Sequence, residues 1–232
     1  MSPTRTNSRD RVEDRLRSLA PEAAPAMERA TERLLARVGD EHLADVSYAP
    51  VDSPFGPMLA AVSERGLLRL AFPEEDIDSV LELLARRVSP RIVESSGALD
   101  PARRELDEYF SGARSGFDLP LDWSLMSDFG RRVLRVTAEI PYGGVSTYKE
   151  VATDAGSPRG SRAAGNALGS NPIPIVIPCH RVLHSTGGLG GYGGGLDRKQ
   201  FLLELEGAPL SARPAARGTA RITSGPRTRR RR

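Results

Sequence analysis

Between Val46 and Phe72 the chain sets out three short apolar runs, Val46 to Tyr48, Met58 to Ser63 and Gly66 to Phe72, with a tight turn at Glu64-Arg65-Gly66 joining the last two. Runs this short, bounded by turn residues, predict a small antiparallel sheet. A sheet that small needs a cover, and the next segment supplies one. From Glu74 to Val88 the apolar residues Ile77, Val80, Leu81, Leu84 and Val88 fall on one face, so a helix packs on the sheet, with acidic residues in its first turn matching the helix dipole. A second helix is predicted from Asp100-Pro101 to about Phe110, with Asp100 as N-cap and proline at the first helical position. The proline-containing stretch Ser111 to Trp123 reads as a linker.

From there the pattern changes. A helix from about Ser127 to Ala138 leads to the turn Pro141-Tyr142-Gly143-Gly144, and Thr147-Tyr148-Lys149-Glu150 fits a capping box. The helix it starts stops at Gly156, and Ser157-Pro158 starts another that runs to about Gly169. Two short helices joined by a tight turn suggest a helix-turn-helix. Beyond it lie Pro172, Pro174, the apolar run Ile175-Val176-Ile177, then Pro178-Cys179-His180-Arg181, a glycine-rich loop through Gly195 and a last helix from about Asp197 to Glu206. The expected organisation is therefore a polar extension with one short helix over 1–42, an α/β domain and linker over 43–123, a second domain over 124–207, and a disordered tail over 208–232.

Composition narrows the function classes. No apolar run is long enough for a membrane span and no signal-peptide pattern opens the chain, so a cytoplasmic protein with no membrane partner is expected. One cysteine and three histidines leave no disulfide and no evident metal ligand set, and no cofactor is expected. The net charge of +3 is unevenly spread: residues 1–123 carry 16 basic and 23 acidic side chains, whereas residues 208–232 carry eight arginines and no acid. A polyanion would be sought from the C-terminal side.

Cys179 is the candidate nucleophile. Three prolines fix the approach to it, and His180 and Arg181 come directly after, an electropositive setting that favours thiolate. A carboxylate from the last helix, Glu204 or Glu206, would complete a relay with His180. Neighbouring residues on a strand face opposite ways, so contact between Cys179 and His180 requires a turn or a bridging water. The string Gly188-Leu189-Gly190-Gly191-Tyr192-Gly193 satisfies G-x-G-x-x-G, but it leads into no helix and no βαβ unit surrounds it, which argues against a dinucleotide site. It reads as backbone that bends tightly and comes close to a ligand. The second helix of the pair is nearly bare, with Gly160, Ala163, Ala164, Gly165, Ala167 and Gly169 around Arg162 and Asn166. Such a helix suits close approach to a nucleic-acid backbone or minor groove, or tight packing on another helix.

Ile175 to Val182, preceded by Asn171-Pro172 and followed by the glycine loop and Leu205-Glu206-Gly207, closely resembles the O6-alkylguanine-DNA alkyltransferases, also called methylated-DNA–protein-cysteine methyltransferases. The resemblance is strong over about 124–207 and more diffuse over 44–123. It implies an α+β protein, a small ribonuclease H-like sheet-plus-helix domain followed by a winged helix-turn-helix-like alkyltransferase domain, acting as a monomer. The implied activity is direct DNA repair by irreversible, single-turnover transfer of the alkyl group from O6-alkylguanine, and O4-alkylthymine, in double-stranded DNA approached from the minor groove. By the same resemblance Cys179 looks like the acceptor, His180 and Glu206 like the relay, and Asn171 like the support of the site's turn. Tyr148, Arg162, Ala163 and Arg181 would meet DNA, and Tyr192, Gly193, Gly194 and Lys199 would form the base pocket. A cysteine hydrolase that turns over and a DNA-binding lesion sensor are the competing readings.

The tail generates its own test. Each phosphate neutralised contributes about 0.9 to the slope of log affinity against log salt. Removing residues 208–232 should flatten that slope and weaken DNA binding most at low salt, as read by fluorescence anisotropy; an unchanged slope would mean that these arginines do not engage DNA.

Overall fold

The computed structural model describes residues 44–208; the helix expected near Met27 to Val38 and the arginine-rich tail lie outside the described residues. Strands β1 (Val46–Val51), β2 (Met58–Ser63) and β3 (Gly66–Ala71) form the expected antiparallel meander. The sheet is nevertheless mixed. Helix α1 (Ile77–Arg87) carries the chain across it to a fourth strand, β4 (Ile92–Glu94), which pairs parallel to β1 and gives the order β3-β2-β1-β4. Three residues are too few to show an alternating pattern, which is why β4 escapes a reading by periodicity.

Each face of the sheet has its own partner. Leu59, Ala61, Leu68 and Ala71 close against Val80 and Leu84 of α1. Met58, Ala60, Leu67 and Leu70 face a larger core that includes Leu106 and Tyr109 of helix α2 (Asp100–Phe110) and continues into the second domain. Asp100 does not cap α2. Its backbone is already helical (φ −55°, ψ −41°), a 3-10 turn over Gly97–Leu99 leads into it, and Pro101 has no N–H to satisfy in the first turn.

In the second domain α3 (Asp128–Ala138) starts at Ser127, whose hydroxyl accepts from the Gly130 N–H at 3.1 Å. A two-residue ladder pairs β5 (Ser146–Thr147) parallel with β6 (Val182–Leu183). Helix α4 (Tyr148–Asp154) has the capping box expected at Thr147 and Glu150. Helix α5 (Ser161–Gly169) begins later than Ser157-Pro158, because Ser157 to Gly160 is spent on a separate turn after Gly156 (φ +80°). The stretch Ile173 to Ile177 forms a tight turn, with the Ile177 N–H donating to the Ile173 carbonyl at 2.9 Å. Prolines at 172, 174 and 178 deny it the donors of a strand. Helix α6 (Leu196–Leu205) ends the described fold, in which no helix is long and apolar enough to cross a membrane.

The segment between the domains is tied down. The Leu67 N–H donates to the Pro120 carbonyl at 2.8 Å and the Asp122 N–H to the Leu67 carbonyl at 2.9 Å, so the chain lies along β3. Gly66 permits this with φ +122°, and a Cβ there would sit 2.1 Å from the Pro120 oxygen. Gly66→Ala should therefore cost about 3 kcal/mol in urea unfolding; an unchanged midpoint would mean that this segment shifts freely.

Candidate active site

Asn171 organises the turn that presents the thiol. Its side-chain carbonyl accepts the Ile173 N–H at 3.0 Å, while its Nδ2 donates to the Ile177 carbonyl at 2.9 Å and to Cys179 Sγ at 3.1 Å. Within the turn Ile175 takes φ +74°, a conformation a β-branched residue adopts only under constraint from its surroundings. Cys179 then opens a 3-10 turn through Arg181, so the turn needed to relate Cys179 to His180 is present. The thiol lines a cavity of about 520 Å³ together with Asn171, Tyr192, Gly193 and Gly194. Burial pushes its pKa up to about 11, although Asn171 and Lys199 pull the other way. The electropositive setting read from the sequence is thus outweighed by desolvation.

The carboxylate that joins His180 is Glu206; Glu204 accepts instead from the exposed Gln200 on its own helix. Glu206 Oε1 lies 2.9 Å from His180 Nε2, and burial, which would raise its pKa, is overcome by hydrogen bonds from His180 and Arg181 that bring it to about 2. An ionised carboxylate only accepts, so the proton between the two sits on Nε2. Burial holds the His180 pKa below its ordinary value against the pull of Glu206, and its Nδ1, buried and without a hydrogen-bond partner among the described residues, is left as a lone-pair acceptor.

Arg181 departs from its expected place on DNA. It is 6% exposed and grips Glu206 with Nε and Nη2, both at 2.8 Å, while Nη1 donates to the Ile140 carbonyl. A buried guanidinium with three internal acceptors is not available to phosphates. Lys199 also departs: it does not line the cavity but lies behind the glycine loop, where Nζ donates to the carbonyls of Val182 at 2.6 Å and Gly191 at 3.3 Å and to that of Leu189. Desolvation lowers its pKa to about 8. Tyr148 braces the same loop through its hydroxyl, 3.0 Å from the Gly191 carbonyl. Arg162 and Ala163 lie on the exposed face of α5, and Arg162 shares a surface concavity with Tyr148, Arg159 and His184.

Three residues of the first domain escape a reading of the sequence. Tyr109 donates to Glu206 Oε1 at 2.7 Å from the buried face of α2. Arg69 lines the cavity, pairs with Glu75 and donates to the Pro172 carbonyl at 3.0 Å, next to Asn171. Phe72 packs edge-on against Tyr192 and lies under Arg198. The available signals were a tyrosine among apolar helix positions, which needs a partner for its hydroxyl once buried, and a cation inside an apolar strand.

Two family models match the chain: "6-O-methylguanine DNA methyltransferase, ribonuclease-like domain" over residues 46–123 and "6-O-methylguanine DNA methyltransferase, DNA binding domain" over 128–208. A methylated-DNA–protein-cysteine methyltransferase of Methanosarcina barkeri is 44% identical over 159 residues, covering 68% of this chain and 96% of that protein. One from Mycobacterium bovis is 40% identical over 161 residues, with 69% and 92% covered. Among solved structures, the Mycobacterium tuberculosis OGT in complex with DNA matches with a TM-score of 0.60 at 39% identity, covering 70% of this chain and 95% of that one.

The acid limb of stability checks the buried carboxylate. Its folded pKa of about 2 lies below the ordinary 4.5, so its ionised form stabilises the fold above pH 4.5, and that contribution is lost as pH falls toward 2. Glu206→Gln should lower stability at pH 7 by about 3–5 kcal/mol, since it strands Arg181. In denaturant titrations the gap from the parent should shrink between pH 4.5 and 2; a constant gap would exclude the charge as its source.

Proposed function

The chain belongs to the 6-O-methylguanine DNA methyltransferase family, and from that premise we propose how its residues divide the chemistry. The protein repairs DNA directly, moving an alkyl group from the damaged base onto its own cysteine. Cys179, the single cysteine of the sequence, is the acceptor. The observation that carries this is its place: Sγ sits on Asn171 Nδ2 at the wall of the cavity, beside a histidine whose tautomer is set by a buried carboxylate.

A thiol with a pKa near 11 does not ionise unaided at neutral pH, so His180 Nδ1 takes its proton through water while Glu206 stabilises the imidazolium. The thiolate attacks the alkyl carbon; an S–C bond forms and the C–O6 bond breaks. Its electron pair stays on guanine, which leaves neutral once the thiol proton is returned to it. Tyr192, whose hydroxyl is buried without a partner among the described residues and whose pKa is held well above 10 by burial, keeps its proton and serves as a hydrogen-bond donor to the departing base. The thioether is not reversed by thiol exchange, so each molecule acts once.

The target is guanine alkylated at O6, or thymine at O4, in double-stranded DNA. An alkyl group on a stacked base is beyond reach of a buried thiol, so the nucleotide turns out of the duplex. The bare face of α5 supports an approach along the minor groove, with Arg162 entering the stack and Tyr148 beside the rotated nucleotide. Gly193 and Gly194 bring backbone to the base, and a side chain at 194 would strike Phe72 at 2.6 Å. The protein acts as a monomer in the cytoplasm.

Intact-mass analysis after incubation with O6-methylguanine duplex should show one methyl group per protein, mapped to Cys179, and none on Cys179→Ala, which should still bind the duplex. Many equivalents repaired per molecule would instead favour a hydrolase. Arg162→Ala should slow repair of duplex at least about tenfold, while barely changing reaction with a free O6-substituted guanine, since only stacked DNA needs a filler for the gap. Equal loss on both substrates would place Arg162 in support of the pocket.

A further inference from the structure

Glu206 is held from three directions. His180 and Arg181 reach it from the turn after Cys179, the Gly143 N–H approaches Oε2 at 3.3 Å from the loop after α3, and Tyr109 approaches Oε1 from α2. Only Tyr109 comes from the first domain. Its ring is completely buried, edge-on to Phe110 and Tyr142 and tilted on Phe117, which fixes the line along which the hydroxyl reaches Glu206.

We propose that Tyr109 is a positioning residue of the alkyl-transfer relay: its hydroxyl fixes the Glu206 carboxylate, which in turn holds His180 as the Nε2–H tautomer with Nδ1 free toward the thiol. The inference rests on the reading of Cys179 as acceptor. Oε1 accepts three donors, at 2.7 Å from Tyr109, 2.8 Å from Arg181 Nη2 and 2.9 Å from His180. Arg181 alone would hold the carboxylate in its own plane, as a bidentate fork does. Tyr109 binds it from another side, against the sheet domain, and removes the remaining freedom to slide along the guanidinium. Burial and the neighbouring Glu206 charge raise the Tyr109 pKa far above its ordinary range, so it stays a donor at every working pH.

The charged and titratable groups around this carboxylate are His180 and Arg181 on the 3-10 turn, Tyr109 on α2, Tyr142 in the loop after α3, Tyr192 of the glycine loop, edge-on to His180, and Lys199 of α6 and Cys179 farther off. Of the side chains that bond Glu206 directly, His180, Arg181 and Tyr109, only Tyr109 can lose its polar atom and keep its shape. Tyr109→Phe preserves the aromatic packing.

The experiment measures, in the full chain, the rate of methyl transfer from O6-methylguanine duplex as a function of pH, with intact mass locating the product. Tyr109→Phe should slow transfer about tenfold at pH 7, the equivalent of one pKa unit in the relay, and the defect should shrink toward pH 10, where the thiol needs less help. Nitrogen NMR of the imidazole should find His180 as Nε2–H in the parent and a mixture of tautomers in the variant. Tyr109→Phe that transfers at the parental rate across the range, or is slowed equally at every pH with the tautomer unchanged, would overturn the proposal. Should the variant unfold, parental protein compared with Tyr109 replaced by 3-fluorotyrosine keeps the test: the rate and tautomer must then respond to the altered hydroxyl, and indifference overturns it. Failure of the parent to place methyl on Cys179 would overturn the acceptor assignment instead.

Discussion

One buried carboxylate holds the site together. Glu206, 5% exposed at the end of α6, accepts from a histidine, an arginine, a tyrosine and a backbone N–H that arrive from separate parts of the chain. A lone carboxylate at this depth would be strongly destabilising, and each donor offsets part of that desolvation. The same bonds that make its burial tolerable also join the last helix, the reactive turn and the first domain. Chemistry and architecture therefore share their contacts here.

The first domain contributes through the end of β3 and the turn that leads from it into α1. Arg69 and the Leu70 N–H both donate to the Pro172 carbonyl, and Glu75, which pairs with Arg69, also accepts the Phe72 N–H at 2.9 Å. Phe72 and Arg198 then meet on the other side of the cavity, where Arg198 is paired with Glu74. The turn that carries Asn171 and the wall that carries Tyr192 are thus spaced by one rigid strand edge. A packed sheet is well suited to this, since it deforms little.

The features legible in the sequence were those that depend on local order. The meander and the capping box at Thr147 both rest on residues close in the chain, where period and composition report directly. Strand β4 was too short to announce itself, and α5 began after a turn that its Ser-Pro start concealed. The larger omissions were of distance. Nothing near Arg181 signals that its charge is used against Glu206 instead of a phosphate, and nothing near Tyr109 signals a carboxylate 97 positions away. The thiol's pKa erred for a related reason: neighbours in sequence suggested positive charge, whereas burial, a property of the whole fold, decided the sign.

The glycine loop between His184 and Gly195 has little interior of its own. Its course is held through its carbonyls, by Lys199 Nζ on Leu189 and Gly191, the Tyr148 hydroxyl on Gly191, Arg198 on Gly194 at 2.9 Å and the His184 N–H on Gly188 at 2.9 Å. Carbonyl oxygens belong to every residue type, so the instructions for the loop's shape are written outside it. The exposed positions Ser185, Gly188 and Gly191 are free to drift under selection, whereas Tyr192 and Gly194 are fixed by their packing on Phe72, and residues that never enter the loop hold its backbone. A library randomised over Ser185, Gly188 and Gly191, with Tyr192 to Gly195 kept, would vary the rim of the loop without losing where the pocket is.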